Sequence, residues 1–361
     1  MLKEAFFSKV SLGSVSTGKQ NNLNLIRFIA AYLVLFAHSY PIALGAGAND
    51  NLSAILGMSV SELAVNIFFV LSGFLVTGSL LARNNAKDFL LSRILRIYPA
   101  LIGVVILTVF VLGVLVTTVS LKEYFSSELT YKYLTRNSFL LSGVKYNLPG
   151  VFTENVYPSA VNGSLWTLPI EVKLYVLLLL FYLLCIKLPF FDFKRIKAFK
   201  VLILGFCVYY FVHLIHDSYV LNVNDNGHRL FFLFLLGSFC NLFKDKLFLS
   251  WYRFLMAGLL LLIFYGLHRQ SFFLLLYMLM PVLIFTVAYL LKGKVLQFNR
   301  LGDYSYGVYL YAFPIQQLIE LFLPNLEIEL HIFYSSVITI FLATLSWHFV
   351  EKPFVGMKKR L

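Results

Sequence analysis

Apolar runs of about helix-spanning length recur along this chain from residue 25 to its end, separated by short polar or basic stretches. A helix needs about 20 mostly apolar residues to cross a bilayer. Ten such stretches are present, at approximately 25–44, 63–82, 98–119, 165–186, 199–216, 228–243, 249–268, 271–291, 304–323 and 331–350, the sixth being the shortest. The pattern predicts an all-α fold, a polytopic membrane helix bundle of about 10 transmembrane helices. The first run starts late, follows a polar tail bearing Ser and Lys, and has no obvious small-residue cleavage site. It therefore reads as a retained anchor and not as a signal peptide.

No internal repeat, low-complexity tract or appended soluble domain stands out. The expected organisation is a cytoplasmic N-terminal tail (1–22), one membrane domain (23–356) and a short basic cytoplasmic tail (357–361). Within the membrane domain the longest loop, about 120–164, falls on the outer side. It mixes aromatic, Pro, Gly and charged residues, and a loop of that length is more often functional than idle. A lid or an acceptor-binding surface is the expected role.

Composition supports the membrane reading, because 60% of the residues are hydrophobic, only 13% are charged and the mean hydropathy is +0.81. The net charge of +13 could point to nucleic acid, so the placement of the basic residues decides. Most of the 30 Lys and Arg fall before the first span, in 83–96, 187–200, 244–253 and 292–300, and after residue 350. Only Lys122, Lys132, Arg136, Lys145, Arg229 and Arg269 fall in the opposite set of segments, and Lys173 lies within a span. That bias places both termini in the cytoplasm, and with no soluble basic domain left, nucleic-acid binding is excluded.

Ionisable groups inside hydrocarbon are costly and usually face a bundle interior or a hydrated cavity. In "RFIAAYLVLFAH", Arg27 and His38 are separated by eleven steps of about 100°, some 20° past three full turns, with a rise of roughly 16 Å. Both side chains therefore point the same way from different depths and could line one transverse path, Arg27 at the inner end and His38 toward the outer face. Glu171 enters span 4 from outside at a depth comparable with His38, which suggests a base and its orienting carboxylate. Arg93 and Arg96, in "LSRILRIYP", share a face if that segment is helical and would form a fork-like clamp for phosphate oxygens. The bland alternatives are that Arg27 snorkels, His38 is a satisfied core histidine and the arginine pair is an ordinary basic flank.

Other signals are weak. Cys185, Cys207 and Cys240 sit in apolar runs without metal-ligand spacing and read as small buried hydrophobes. His213, His216 and Asp217 lack a further ligand, so no metal is expected. Ser72, Gly73 and Gly78 suit close helix approach, and Ser164 reads as a capping or packing residue. The sequons at Asn51 and Asn162 carry information only in a host that glycosylates.

Six segments in order resemble acyltransferase family 3, whose typical members are bacterial O-acetyltransferases of surface polysaccharides. The likeness runs from about Asn24 to Gly356. "NLIRFIAAYLVLFAHS" is similar to the family's first-helix arginine and histidine, "NIFFVLSGFLVTGSLL" to its second helix and "FLLSRILRIYPAL" to its R-x-x-R segment. "GSLWTLPIEVKLY", "LGDYSYGVYLYAFPIQ" and "SWHFVEKPF" resemble its later stretches. One departure is Ala312, before Phe313 and Pro314, where many members carry a histidine.

The resemblance implies transfer of an acyl group, most commonly acetyl, from cytoplasmic acyl-CoA (acetyl-CoA) to a hydroxyl of a carbohydrate or lipid-linked glycan on the outer side of a bacterial inner membrane. Arg27, Arg93 and Arg96 would hold the anionic CoA headgroup, with His38 as base and Glu171 beside it. Trp166, a tyrosine such as Tyr309 or backbone N–H groups would stabilise the oxyanion, and Asp303 would cap span 9 and help hold the inner site. A periplasmic partner protein or a second copy of the chain is compatible with this reading, as is contact with membrane lipid. The main alternative is a transporter or flippase of lipid-linked sugars or acyl groups, which predicts a repeat symmetry that the sequence lacks. A non-catalytic sensor would leave these residues without a shared purpose.

Overall fold

The computed structural model describes residues 9–18, 20–83, 85–187 and 195–357. The tail segments 1–8 and 358–361, and the basic loop residues 188–194, lie outside the described residues. Each of the ten apolar stretches forms a helix. These are α1 (Leu23–Leu44), α2 (Val60–Arg83), α3 (Ala86–Leu107), α4 (Thr167–Lys187), α5 (Arg195–His216), α6 (Asn226–Leu242), α7 (Trp251–Leu267), α8 (Arg269–Leu290), α9 (Ser305–Phe322) and α10 (Ile328–Ser346).

Among the described residues, seven helical segments, Leu23–Leu44, Val60–Arg83, Ala86–Val116, Gly163–Cys185, Ile196–Leu221, Arg269–Leu290 and Ile328–Met357, are long and apolar enough to cross a membrane. The chain is thus a polytopic membrane protein built almost wholly of helices. α6 and α7 are shorter, at 17 residues each. α9 interrupts its apolar surface with buried Gln316, Gln317 and Glu320. α3 starts twelve residues before the predicted span, so Arg93 and Arg96 belong to the same helical rod.

Contacts divide the chain into two compact units. The first comprises Met1–Ile26, Asn66–Ala86 and Lys173–Leu301; the second comprises Arg27–Val65, Lys87–Val172 and Gly302–Leu361. In the first unit α2 and α6 cross closely. A Cβ on Gly73 would strike the Phe234 carbonyl and one on Gly237 the Val70 carbonyl. Asn241 then donates to the Phe74 carbonyl at 2.9 Å. Between membrane helices, where lipid is as apolar as leucine, close backbone approach and interhelical hydrogen bonds supply the adhesion. The N-terminal strand β1 (Val10–Ser11) pairs antiparallel with β2 (Phe248–Leu249), ahead of α7.

In the second unit the two buried glutamines of α9 tie it to its neighbours. Gln316 donates to the Leu35 carbonyl and the Ser39 hydroxyl of α1, both at 2.7 Å. Gln317 donates to the carbonyls of Tyr157 and Ala160 in the long loop, both at 2.8 Å, and accepts from Asn155. That loop is ordered by its own sequence. Ser120 and Ser127 cap two short helices, Leu121–Ser126 and Glu128–Phe139, each hydroxyl accepting from an otherwise orphaned helix N–H. The amide of Asn137 then grips the backbone of Lys145 in both directions at 2.8 Å. The loop is therefore part of the packed unit around α9.

Candidate active site

Proline sets the local geometry of α9. Pro314 has no N–H, so the Leu310 carbonyl four residues earlier loses its helical donor. The Asn162 side-chain amide takes that carbonyl at 2.9 Å. The same Asn162 accepts from the Ser164 N–H at 3.2 Å, capping the tight turn Gly163–Trp166 that leads into α4. Gly163 must be glycine here, since a Cβ would fall 2.6 Å from the Phe313 ring.

This turn delivers Ser164 to His38. The Ser164 hydroxyl stands 3.5 Å from His38 Nδ1, and the imidazole meets the Phe313 ring edge-on at 5.5 Å between centroids. Tyr309, one helical turn before Phe313, donates its hydroxyl to the Ser164 carbonyl at 2.6 Å and meets Thr167 Oγ1 at 2.7 Å. The serine is thus fixed from both sides, and His38 remains half-buried.

At the opposite end of the Arg27–His38 face lies an ionic cluster. Asp303 Oδ2 accepts from Arg27 at 2.6 Å and from Arg96 at 2.5 Å, and its Oδ1 accepts from the Ser305 hydroxyl. Arg96 also reaches Glu351 at 3.1 Å, whose other oxygen accepts from Ser346 at 3.2 Å. The Tyr306 and Trp347 rings stand 5.7 and 5.9 Å from the Arg96 guanidinium carbon, at cation–π distance. Burial alone would raise the Asp303 carboxyl, but the two guanidiniums and two hydrogen bonds from Ser305 outweigh it and hold it below the usual carboxylate range.

Glu351 arrives through another proline effect. Pro353 cannot continue the regular ladder, and the helix widens to a π turn over Trp347–Glu351. Trp347 and Glu351, four residues apart, both reach Arg96 from this turn.

The structure therefore brings Arg27, Arg96 and Asp303 together, with Glu351 added, and sets His38 with Ser164. Arg93 is in the same helix as Arg96, with its Nε 3.2 Å from the Ser92 hydroxyl. His38 has Ser164, not Glu171, as its hydrogen-bonding neighbour among the described residues. Glu171 is half-buried on the first turns of α4, within electrostatic reach of the Tyr309 phenol. Trp166 closes the capped turn and is half-buried. Elsewhere, in the first unit, His228 bonds Asp217 at 2.7 Å, and its ring lies tilted against His213 with centroids 4.9 Å apart. Among the described residues no group of three His, Cys, Asp or Glu is arranged to hold a metal ion.

Ser164, Asn162 and Glu351 were not foreseen as site residues. The signals were present: Asn162 stands in N-x-S, which reads as a sequon, and Pro314 advertises a free carbonyl without saying what fills it.

The family described as "Acyltransferase domain", acyltransferase family 3, matches residues 20–348, nearly the whole chain. The chain belongs to acyltransferase family 3. It is 30% identical over 358 residues to a protein named O-acetyl transferase from Shigella phage Sf6, covering 93% of this chain and 96% of the relative. It is also 29% identical over 372 residues to "Nodulation protein 10" of Rhizobium leguminosarum bv. viciae, covering 96% of each. No solved structure matches. The protein is a multi-pass membrane acyltransferase, and the His38 and Asp303 clusters are the places where its sequence concentrates ionisable chemistry within one unit.

Proposed function

We propose that this acyltransferase moves an acetyl group from acetyl-CoA, bound at the arginine cluster, to a hydroxyl of a cell-envelope carbohydrate that approaches His38 from the other side of the bacterial inner membrane. The observation that carries this reading is the division of α1 between two sites about 16 Å apart along one face. Arg27 joins Asp303 and Arg96 at one end, and His38 meets Ser164 at the other. The relative from phage Sf6, named O-acetyl transferase, supports an acetyl donor and an oxygen acceptor.

A CoA headgroup carries several negative charges and stays out of hydrocarbon, so it needs cations at a membrane face. Asp303 takes one N–H from each of Arg27 and Arg96, and an arginine has five. The carboxylates orient the guanidiniums and reduce their mutual repulsion, and each terminal nitrogen carries a second N–H besides the one given to a carboxylate. Arg93, three residues from Arg96 on α3, extends the same basic face. The acyl thioester reaches along α1 to His38.

A sugar hydroxyl becomes nucleophilic as its proton is removed. His38 takes that proton while the hydroxyl oxygen bonds to the thioester carbonyl carbon. The carbon–sulfur bond then breaks, and the proton passes from His38 to the departing CoA sulfur, leaving an ester and CoA thiol. Ser164 at Nδ1 fixes the ring, so that Nε2 faces the reacting atoms. Trp166, the last residue of this turn, would donate its indole N–H to the oxyanion, and the half-buried carboxylate of Glu171 would accept from acceptor hydroxyls.

The test uses protein purified in detergent, with acetyl-CoA binding measured by calorimetry and slow CoA release by thiol detection. His38→Ala should retain binding and lose thiol release, whereas Arg27→Gln with Arg96→Gln should lose binding. A folded wild-type protein that binds neither acetyl-CoA nor succinyl-CoA would overturn the reading in favour of transport of a lipid-linked sugar.

A further inference from the structure

The first unit holds a cavity of about 600 Å³ bounded by α6, α7, α8 and the β1–β2 strap. That volume is within the range of pockets that bury a sizeable ligand. Its wall is hydrocarbon, with Leu236 of α6, Leu260 of α7, and Val282 and Phe285 of α8 among the lining side chains. Only its mouth is charged: Lys246 and Arg253 line it, and both are exposed. Asp245, the neighbouring acid, does not line it.

Two local features hold that mouth in shape. Arg253 donates to the Phe248 carbonyl at 2.7 Å. The strap pairs Val10 with Leu249 and Ser11 with Phe248, and Leu12 donates its N–H to the Leu247 carbonyl at 2.8 Å. Leu12 itself is 1% exposed and lines the cavity. The rest of α7 is open, with Leu255, Leu259, Leu262 and Ile263 all exposed, as expected of a helix whose outer side meets lipid.

We propose that this cavity binds one anionic glycerophospholipid, with an acyl chain among Leu236, Leu260 and Phe285 and the phosphate against Lys246 and Arg253. Hydrocarbon surroundings favour an acyl chain over water in a cavity with this lining. Two cations at the mouth favour an anionic headgroup, each contributing at a membrane surface. The segment 244–253 that bears them, a short turn and the start of α7, is one that the positive-inside pattern assigns to the cytoplasmic leaflet, where anionic lipid is the available counterion. The bound lipid would tie the N-terminal strap to α7 and α8, and the proposal is independent of the acyl-transfer reading.

The experiment is native mass spectrometry of the full chain, delipidated in detergent and then mixed with dioleoyl phosphatidylglycerol or dioleoyl phosphatidylcholine. Wild type should retain one phosphatidylglycerol at collision energies that strip phosphatidylcholine. Lys246→Gln, an exposed position outside the Arg253–Phe248 bond that shapes the mouth, should weaken that adduct about fivefold. Ala257→Trp, directed into the cavity, should remove it while leaving the circular dichroism spectrum and elution volume unchanged. If Ala257→Trp misfolds, the charge variant alone decides. Equal retention of both lipids by wild type, or no change in the charge variant, would mean annular lipid only and overturn the proposal. So would preferential retention of palmitoyl-CoA over phosphatidylglycerol in a mixture of the two.

Discussion

The side chain of Asn162 donates to the Leu310 carbonyl at 2.9 Å, the carbonyl that Pro314 deprives of its helical donor. A loop residue thereby completes the backbone of α9 and, through its other amide atom, sets the turn that carries Ser164. Asn162→Leu keeps the volume but removes both bonds. It should destabilise the protein by about 1–3 kcal/mol, the cost of leaving buried polar groups unpaired. It should also lower kcat far more than it weakens acetyl-CoA binding, on the order of 10²-fold, because the Ser164–His38 register is lost. Thermal unfolding in detergent, with parallel kinetics and calorimetry, checks this. Unchanged kcat in a protein of lowered Tm would reduce Asn162 to a purely structural role.

Asp303 gives a pH dependence of known sign. Its carboxyl titrates below the usual range when folded, because Arg27, Arg96 and Ser305 outweigh the burial that alone would raise it. A depressed folded pKa contributes stability that is present above the unfolded value of about 3.9. That stability is lost as pH falls through the folded value. Wild type should therefore lose stability in acid below about pH 4, while Asp303→Asn should lack this part of the acid loss. At neutral pH Asp303→Asn should be less stable by roughly 3 kcal/mol, near the low end for breaking a buried ion pair because the arginines are partly exposed. Tm measured from pH 3 to 7 for both proteins decides.

Arg96→Lys preserves charge and should still fail. The native guanidinium reaches two carboxyl groups at 2.5 and 3.1 Å and lies near two aromatic rings. An ammonium is a point charge without the planar fork. Loss of one charge-assisted bond costs about 1.5–3 kcal/mol, so the KM for acetyl-CoA should rise about tenfold or more. Glu351→Gln should move KM the same way by a smaller factor, since it leaves the Asp303 contact in place. Equal KM for wild type and Arg96→Lys would remove Arg96 from the donor site.

The helices were legible because hydrocarbon imposes a length and an apolar content on any span; all ten apolar runs are helical, and seven helical segments among the described residues are long and apolar enough to cross. The face shared by Arg27 and His38 was also legible, since both lie on one uninterrupted helix. What lay across from them was not. Asp303 and Glu351 are 276 and 324 residues from Arg27 along the chain, and no helical period reaches that far. The sequence offered Glu171 as a companion for His38 on depth alone, whereas contact depends on the turn before α4. That turn is set by Asn162, Gly163 and Pro314, residues that look like a sequon, a spacer and a kink until α9 and the loop are seen together.

His38 and Ser164 yield the prediction that separates chemistry from positioning. If His38 is the base, His38→Gln keeps a polar side chain of comparable reach but cannot accept and return a proton, and kcat should fall by about 10²–10⁴-fold. Acetyl-CoA affinity should change little, because the arginine cluster lies about 16 Å away along α1. Ser164→Ala removes a bond at the long limit of hydrogen bonding, worth about 0.5–1.5 kcal/mol, so kcat should fall by about tenfold at most. The double variant is the informative one. Were Ser164 to act only by holding the imidazole, its removal should add nothing once His38 is gone, and the double variant should match His38→Gln. A further loss beyond His38→Gln would instead place the serine hydroxyl on the reacting atoms, as a donor to the oxyanion or as a transient acyl acceptor. Trapping the enzyme with radiolabelled acetyl-CoA and no acceptor then distinguishes those two roles, since only the second leaves label on the protein.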